Sequence, residues 1–467
     1  MQFKSQAVAK PYFIAALGLF IGQIILGLLA GFEYINGTAL FPYLHFNMAR
    51  MSHTNLLVVW LLMSFMGAAY FVVPDEAQTE LYSPKLALAT FWIFLIAGAL
   101  TILGYLTMSY SHLAAATYNA LWPTMGRGYL EQPLPTKIGI VLVMLAFLFN
   151  LTMTIIRGRK TTIGVLLVAS MWGVALLYLP AFYFPVDTVK DSYSWWWIVH
   201  GWVEGDWELV PASLVGYIML KTTGVDREVV DKWIYIIGAM AFMSGFLGIG
   251  HHYYYIGAPA YWLWIGSIFS ALEPVPFLLL IVFAFTTIRN RRRDHPNKAA
   301  LLWVQGETIM AFLGAGVLGF IITLAPVQYY AHGTNLTAAH GHLAFFGAYV
   351  MISLATISYA MPILRGREAN SIAAQRWEMT GFWVMCVSML VIASALAAAG
   401  LVTIFLQRYT ANPLPFMEVQ QKEAVFFWIR EIAGLGFFTG LLIYLRSFFV
   451  KGGYNYAAYA QQAMSTR

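Results

Sequence analysis

The chain has 467 residues, of which 60% are hydrophobic, 16% are aromatic and only 10% are charged, and its mean hydropathy is +0.68. Because soluble domains carry roughly a quarter charged residues, this composition excludes an ordinary soluble protein and indicates an all-α, polytopic membrane protein. The net charge of +6 is modest and its basic residues lie in short loops, which argues against a nucleic-acid-binding face.

Twelve stretches are predicted to cross the bilayer, since a spanning helix needs about 20 mostly apolar residues. In chain order they are 12–32, 53–73, 86–106, 137–156, 161–184, 195–220, 233–256, 259–288, 299–324, 337–363, 379–405 and 425–449. No internal repeat or linker separates them. We therefore expect a single integral membrane domain over residues 1–467.

The loop charges predict the orientation of these spans. The N-terminal stretch MQFKSQAVAKPYF has two lysines and no small-residue cleavage site, so we expect an uncleaved first helix. Basic residues cluster in RGRK (157–160), NRRRDHPNK (290–298) and LRGRE (364–368), and at Arg446 and Lys451. Twelve spans put all of these on the side of the N-terminus, which the positive-inside rule makes cytoplasmic. Both termini are thus expected in the cytoplasm.

The single cysteine, Cys386, lies within an apolar run. One thiol excludes an intrachain disulfide, a CxxCH haem attachment, an iron–sulfur cluster and a dinuclear thiolate copper site. Any electron carrier that is built on cysteines must therefore belong to another chain.

Six histidines fall at the outer ends of four predicted spans, and a seventh, His332, lies in a loop beside them. They are His53 in the second span, His200 in the sixth, His251 and His252 in the seventh, and His340 and His342 in the tenth. A single buried histidine is more often a hydrogen-bonded core residue than a ligand. Unrelated core histidines have no reason to share a depth, so the set is interpreted as cofactor ligands.

His340 and His342 are two positions apart, which on an α-helix separates them by roughly 200° about the axis. They point to opposite faces and cannot chelate one ion. They can serve two haems on either side of the helix, one axial imidazole each. His53, the lone histidine of the second span, is the expected second axial ligand of one haem.

His200 and Glu204 are at positions i and i+4, on one helical face. The adjacent pair His251 and His252 can reach the same ion if its helix faces the first. Three imidazoles and a carboxylate form a mixed nitrogen–oxygen site for a first-row metal, and the hard carboxylate favours iron over copper. Glu204 could also act as a proton relay, because a carboxylate within a bilayer is costly and is retained for function.

Several motifs resemble the catalytic large subunit of bacterial cytochrome-c-dependent nitric oxide reductase, over essentially the whole chain. They are HTNLLVVWLL (53–62), HGWVEGDWEL (200–209), GHHYYYIGAP (250–259), SIFSALEPVPF (267–277) and HGTNLTAAHGHLAF (332–345). That family is a branch of the haem–copper oxidase superfamily. The resemblance implies a haem–copper oxidase-like bundle of twelve transmembrane helices around two haems b.

The resemblance also implies a role for each of these ligands. His53 and His342 would hold the low-spin haem b, His340 the high-spin haem b, and His200, Glu204, His251 and His252 a non-haem iron. The family couples two nitric oxide molecules, two electrons and two protons to nitrous oxide and water. Oxygen-reducing relatives bind copper with three histidines, and many have a tyrosine at the position of Glu204, so the glutamate favours nitric oxide.

Three further carboxylates are catalytic candidates by the same resemblance. Glu208 and Glu273 would tune the iron or pass protons, and Glu131 in TMGRGYLEQP would lie on a proton path from the outer side. Alternatively, Glu273 in LEPVP caps a helix that is broken by proline.

Three residues depart from the family pattern. Gly128 replaces a glutamate that in many relatives helps to bind calcium, so calcium is expected only as a possible cofactor. Gly201 and Asp206 replace residues that are commonly apolar, and Asp206 either faces away from the iron or alters its redox and proton chemistry.

The resemblance places the electron source outside the chain, in a membrane-anchored cytochrome c subunit that an external soluble donor supplies. Quinol-using relatives have a long N-terminal extension, whereas here the first helix begins almost at once. Two other functions stay open: an oxygen reductase with copper beside the haem, and a transporter that uses buried histidine and glutamate as a relay without a cofactor.

Overall fold

The structure, a computed structural model, describes residues 1–117 and 127–454, and it is all-α apart from one short strand pair. Its helices are α1 Ala9–Glu33, α2 Phe46–Ala77, α3 Pro84–Leu106, α4 Ser109–Thr117, α5 Leu134–Arg157, α6 Thr162–Tyr178, α7 Thr188–His200, α8 Trp207–Thr223, α9 Arg227–Gly248, α10 Tyr261–Ser270, α11 Pro274–Arg289, α12 Lys298–Ala311, α13 Gly319–Thr323, α14 Ala325–Ala331, α15 Asn335–Phe345, α16 Met351–Leu364, α17 Ile372–Thr403 and α18 Phe416–Arg446. Strands β1 Ala369–Asn370 and β2 Gly453–Tyr454 pair antiparallel.

Within the described residues, eleven helical segments are long and apolar enough to cross a membrane. Each corresponds to one of the predicted spans, with boundaries that differ by up to nine residues. The remaining prediction, 195–220, corresponds to the continuous helical segment from Thr188 to Thr223. This segment is more polar because Glu204, Asp206 and Glu208 lie in its middle. The fold class that the sequence predicts is therefore confirmed.

In the described part of the chain, four of the long helices contain a π-helical stretch. These stretches are Gly201–Asp206, Phe312–Leu318, Phe346–Val350 and Ile404–Arg408. A π stretch inserts residues into the α-helical repeat and changes which side chains share a face, and such stretches are frequent at functional sites. The first three of them line or adjoin the main cavity of the molecule. The hydropathy pattern does not distinguish a π stretch from an α-helix, so the sequence did not predict these stretches.

Two segments form the centre of the bundle, and they differ from the peripheral helices in burial. Most residues of α2 and of the segment Asn335–Leu364 are inside the protein. Peripheral helices instead expose large apolar side chains, such as Trp92 on α3 and Leu142 on α5, as expected for contact with lipid tails. The central segments carry three of the predicted haem ligands, His53, His340 and His342.

Hydrogen bonds between loops gather both ends of the described chain at one end of the bundle. The backbone N–H of Lys4 donates to Glu80 over 2.9 Å, and that of Arg159 donates to the carbonyl of Ala77 over 2.7 Å. Glu368, whose backbone N–H donates to Tyr454, joins the same end through Arg293, which pairs with Glu368 and whose backbone N–H donates to the carbonyl of Thr223. Lys221, two residues before Thr223, pairs with Asp75 at the end of α2. The basic loops therefore lie together with the N-terminal residues.

Candidate metal centre

Four predicted ligands converge from three neighbouring segments. His200 ends α7, Glu204 lies in the π stretch that follows it, and His251 and His252 lie in the 3₁₀ turn Ile249–Tyr253 after α9. One ligand atom from each residue lies within 4.8 Å of the other three. His200 Nδ1 is 3.4 Å from Glu204 Oε2, and the Nε2 atoms of the two adjacent histidines are 3.0 Å apart.

Hydrogen bonds to the outer nitrogens orient two of these imidazoles. The Nε2–H of His200 donates to the carbonyl of Gly245, which leaves its Nδ1 buried without a partner. His251 Nδ1 is hydrogen-bonded to Ser270 Oγ over 2.8 Å, which leaves its Nε2 facing the cluster. Metal-binding histidines typically use the second nitrogen in this way, because that bond fixes the tautomer and the ring orientation.

Trp196 holds the third imidazole by stacking. Its ring lies 3.8 Å from that of His252, with planes only 7° apart. The sequence motifs did not identify this residue, although it lies four positions before His200 and so shares its helical face. Ser270 and Gly245 were also missed, since both belong to other segments and carry no ligand chemistry of their own.

Gly245 lets α9 approach the π stretch closely. A Cβ atom at this position would overlap the backbone carbonyl of Glu204. Only glycine allows this backbone contact. The two halves of the cluster are thus held together by backbone packing in addition to side-chain contacts.

The local helix geometry differs from the sequence prediction at both halves of the site. His200 and Glu204 are in contact, but through a π stretch that begins at Gly201 rather than through one α-helical turn. His251 and His252 lie on a 3₁₀ turn, where successive side chains are about 120° apart, instead of on an α-helix. The sequence therefore placed these residues on helices that could bring them together, but it did not predict the π stretch or the 3₁₀ turn.

The donor set fits a bound metal ion. Bonds from a first-row metal to nitrogen or carboxylate oxygen are about 2.0–2.2 Å long, so ligand atoms around one ion lie about 3–4 Å from one another. The 3.0 and 3.4 Å separations agree with this. The unpartnered buried Nδ1 of His200 also calls for an electrophilic partner, since buried polar atoms are normally bonded.

His340 faces this cluster across the main cavity, which it lines together with His200, Glu204 and His252. Its Nδ1–H donates to the carbonyl of Gly314 over 3.0 Å, which leaves Nε2 available to a ligand. Much of the remaining wall is apolar or aromatic. The arrangement presents one imidazole opposite a metal-binding cluster.

His342 is directed to the other side of the same helix and pairs with His53, as their opposite-face positions predict. The two ring centroids are 6.4 Å apart and the ring planes differ by 24°. Each Nδ1–H donates to a carbonyl, that of Gln23 over 2.7 Å for His53 and that of Ala338 over 2.8 Å for His342. Both rings are therefore oriented by their outer nitrogens.

This pair fits a six-coordinate haem. A metal–nitrogen bond of about 2 Å on each side, plus about 1.1 Å from nitrogen to ring centre, gives roughly 6.2 Å between the centroids of two axial imidazoles. The observed 6.4 Å is close to that value. Gly27 on α1 leaves the room that one of these rings occupies, because a Cβ atom there would lie 2.7 Å from His53 Nδ1.

Glu208 and Glu273 line the main cavity beside the cluster. Glu273 Oε1 lies 4.0 Å from His251 Nδ1 and is buried without a hydrogen-bond partner. Glu273 does occupy the N-cap position of α11, before Pro274, but its side chain makes no capping hydrogen bond. The alternative that it serves only as a helix cap is therefore wrong.

Glu131 is not part of the cavity, although it lies next to the helix that carries His53. Its carboxylate accepts from Asn55 Nδ2 over 2.8 Å and is 3.5 Å from Arg50 Nη2. Burial raises the pKa of Glu131, and the bonds from Asn55 and Arg50 oppose that shift. Of the predicted proton-path stretch, residues 124–126 lie outside the described residues.

The departures from the family pattern lie outside the cluster. Asp206 is buried against α6, where a Cβ atom on Gly173 would overlap its carboxylate. It does not line the main cavity, so of the two alternatives the structure supports the one in which it faces away. The carbonyl of Gly128 accepts from Trp195 Nε1 over 3.0 Å, and a Cβ on Gly201 would lie 3.1 Å from Leu177.

Comparison with known proteins agrees with this geometry. Residues 7–436 match the family described as Cytochrome C and Quinol oxidase polypeptide I. A nitric oxide reductase subunit of Stutzerimonas stutzeri is 56% identical over 97% of this chain and 96% of its own length. The chain belongs to this family, on the branch of that nitric oxide reductase subunit.

More distant relatives share the fold. A cytochrome c oxidase subunit 1 homolog of Agrobacterium tumefaciens (strain T37) is 23% identical over 93% of this chain and 80% of its own length. A heme-copper terminal oxidase dimer solved by cryo-EM superposes with a TM-score of 0.73 at 15% identity, over 97% of this chain and 85% of that chain. Membership of the heme-copper oxidase family implies a haem and a metal centre, and the histidines fit both.

Proposed function

We propose that this chain is the catalytic subunit of a nitric oxide reductase, which converts two nitric oxide molecules, two electrons and two protons to nitrous oxide and water. The observation that carries this proposal is the cluster of three imidazoles and Glu204 facing His340 across one cavity. The 56% identity to the nitric oxide reductase subunit of Stutzerimonas stutzeri supports the choice of gas.

The ligands are assigned by their available nitrogens. His53 and His342 hold a low-spin haem b, His340 holds a high-spin haem b, and the cluster of His200, Glu204, His251 and His252 holds a non-haem iron. When bound, this iron and the facing haem bring two nitrogen atoms together and supply the electrons for N–N bond formation. The protein keeps the ligand groups at fixed positions through its hydrogen bonds to the outer ring nitrogens.

The walls of the cavity suit a small neutral gas and a supply of protons. Its apolar lining includes Val199, Val203 and Phe277. A neutral diatomic molecule can pass along such a wall without losing hydrogen bonds. Glu208 and Glu273 are acidic groups beside the cluster that can hold and pass protons. Glu131, with Arg50, is assigned to the entry of protons from the outer side.

We further propose that the chain lies in the cytoplasmic membrane of a bacterium with both termini inside. The basic loops lie at the same end of the bundle as the N-terminal residues, which agrees with the positive-inside rule. Electrons come from a membrane-anchored cytochrome c subunit on the outer face, which an external soluble donor reduces. Calcium near Glu131 is included in the proposal only as an optional cofactor, because Gly128 replaces one of its expected ligands.

Metal analysis of the purified protein, combined with turnover on each gas, tests the function. We expect two haems b and one additional iron per chain, no stoichiometric copper, and nitrous oxide formation from nitric oxide. Stoichiometric copper with rapid oxygen reduction would instead identify an oxygen reductase, the alternative to which the fold of the terminal oxidase gives weight. A protein without haem absorbance would contradict both.

A further inference from the structure

A second, smaller cavity adjoins the main cavity at Glu208, and Glu307 on α12 lines it. Glu307 is fully buried, and neither of its carboxylate oxygens has a hydrogen-bond partner among the residues that the structure describes. No role was assigned to it by the sequence motifs. A buried carboxylate without a partner is costly and is typically retained in membrane proteins for function.

Two residues, Glu208 and Phe277, line both the small cavity and the main cavity, and Glu208 is the polar one of the two. The other residues that line the small cavity are apolar, and they are Pro211, Ala212, Ile237, Ala241, Pro276, Phe277, Leu280 and Ala348. The two carboxylates are therefore the polar groups of a small pocket that otherwise has apolar walls.

The size of this pocket matches one water molecule. Its volume is about 20 Å³, and a cavity needs at least ~10–15 Å³ of such volume to hold a water. A buried water also needs polar partners, typically two to four hydrogen bonds, and the carboxyl groups of Glu208 and Glu307 can supply them. One water between the two groups completes a path for a proton.

The surroundings of Glu307 favour its neutral acid. Among the described residues, no basic side chain lines the small cavity, and transfer of a carboxylate into apolar surroundings favours the protonated form. The titratable groups that face Glu307 from neighbouring elements are Glu208 on α8 and Tyr349 in the π stretch Phe346–Val350, whose hydroxyl donates to the carbonyl of Val203.

We propose that Glu307 stores a proton for the reaction at the metal centre and exchanges it through one water and Glu208. The Oε–H bond of Glu307 breaks, its proton passes to the water, and a proton of that water passes to the Glu208 carboxylate. Glu208 releases the proton into the main cavity, where it ends in the product water. Glu307 is left as a carboxylate and regains a proton along the same route between turnovers. This inference rests on the proposed function.

Glu307→Gln tests the proposal, because glutamine keeps the size of the side chain but cannot donate an acidic proton. Glu378→Gln is the matched control. Glu378 is also a buried carboxyl group in a membrane span, but it accepts from Asn370 Nδ2 over 2.8 Å and lines neither cavity. Both variants should retain the haem spectra and the non-haem iron of the wild type, which shows that they fold.

Two measurements distinguish a stored proton from a structural role. Infrared difference spectra during turnover should contain a carboxyl C=O band that shifts in D₂O, that is missing in Glu307→Gln and that persists in the Glu378→Gln control. In a single turnover followed with a pH-indicator dye, bulk proton uptake by the wild type should lag behind nitric oxide consumption. Glu307→Gln should consume nitric oxide several-fold more slowly, with no lag.

Ala241→Val provides a test that leaves both carboxyl groups in place. Ala241 is buried and lines the small cavity, so the added methyl groups should displace the water and abolish the lag as Glu307→Gln does. A wild type that forms no nitrous oxide would refute the proposed function. A working wild type whose infrared band persists in Glu307→Gln, or whose lag persists in both Glu307→Gln and Ala241→Val, would refute only the role of Glu307.

Discussion

His200 presents a different nitrogen to the cluster than the other oriented histidines do. Its Nε2 is bonded to the carbonyl of Gly245 and its Nδ1 faces Glu204, whereas His53, His340 and His342 each use Nδ1 for the bond to a backbone carbonyl. Since Nδ1 is closer to the backbone than Nε2, a metal bound there lies near α7 itself. This brings the ion within reach of a glutamate only four residues further on.

Removal of one cluster imidazole should empty the non-haem site without loss of haem. We expect His251→Ala to lower the affinity for the non-haem iron by more than roughly 100-fold, since even the loss of an outer partner of a ligand costs 10–100-fold. Elemental analysis should then show two irons per chain, with unchanged haem spectra and no nitrous oxide formation. His332→Ala is the control, because this histidine lies outside the cluster. Retention of the third iron in His251→Ala would contradict the assignment.

The buried carboxyl group of Glu131 should make stability depend on pH. Burial raises the pKa of Glu131 in the folded protein, so ionisation of this group favours the unfolded state. The neutral acid therefore stabilises the fold at low pH, and this stabilisation is lost as the pH rises from the unfolded pKa through the folded pKa. The apparent Tm of Glu131→Gln minus that of the wild type should therefore increase with pH from about 4 upwards. A difference that stays constant or falls over that range would show that Arg50 and Asn55 outweigh burial.

At the scale of elements, the glycines of α1 offer a matched test of the haem site. A Cβ on Gly27 would lie 2.7 Å from His53 Nδ1, whereas a Cβ on Gly18 would have no atom of another element within 4 Å. Gly27→Ala should displace the imidazole and weaken or alter the low-spin haem spectrum, and the high-spin spectrum should persist. Gly18→Ala should leave both unchanged. Equal spectra for the two variants would exclude a haem ligand at His53.

The elements also show how far a sequence can predict such a site. The depth of the six histidines and the opposite directions of His340 and His342 followed from hydropathy and helical periodicity. The π stretch Gly201–Asp206 and the 3₁₀ turn Ile249–Tyr253 did not, because they arise where helices meet closely and their sequences carry no separate periodic signal. Trp196 was missed for a related reason, since its partner His252 is on another segment.

For the whole molecule, the order and approximate bounds of the spans were predictable, whereas their arrangement was not. Apolar periodicity predicts which face of a helix contacts lipid. It does not predict which helices are neighbours, because each helix of a bundle could pack against several others. The family resemblance supplied that arrangement, and the 56% identity to a relative over nearly the full chain confirms the family. The resemblance did not identify Glu307, because the small cavity that it lines is formed by residues from several helices that pack together.

A buried ion pair at the basic-loop end should contribute to the stability of the whole bundle. Arg227 on α9 binds Glu76 on α2 through two hydrogen bonds of 2.7 and 3.0 Å, and the Glu76 side chain is only 1% exposed. Arg227→Gln would leave that carboxylate without its cation, which should destabilise the protein by about 1–3 kcal/mol. Thermal unfolding in detergent should show a lower apparent Tm.

Lys232→Gln is the control for this pair. Lys232 pairs with Glu228 on the same helix, but both side chains are largely exposed, at 70% and 80%. An exposed pair of this kind contributes about 0–1 kcal/mol, so its loss should leave the apparent Tm almost unchanged. Similar shifts for both variants would mean that burial of Glu76 is not what makes the first pair important.

The contact between Gly245 and the backbone of Glu204 has a consequence for how tolerant the centre is to change. Because the two backbones are in direct contact, neither half of the cluster can move toward the other. The distance between the ligands on α9 and those on the π stretch is therefore set by the backbone and not by side-chain rotamers. Substitutions of nearby side chains should therefore leave the ligand spacing unchanged. Any residue other than glycine at position 245 would instead push α9 away from the π stretch. A saturation library at that codon should return glycine alone.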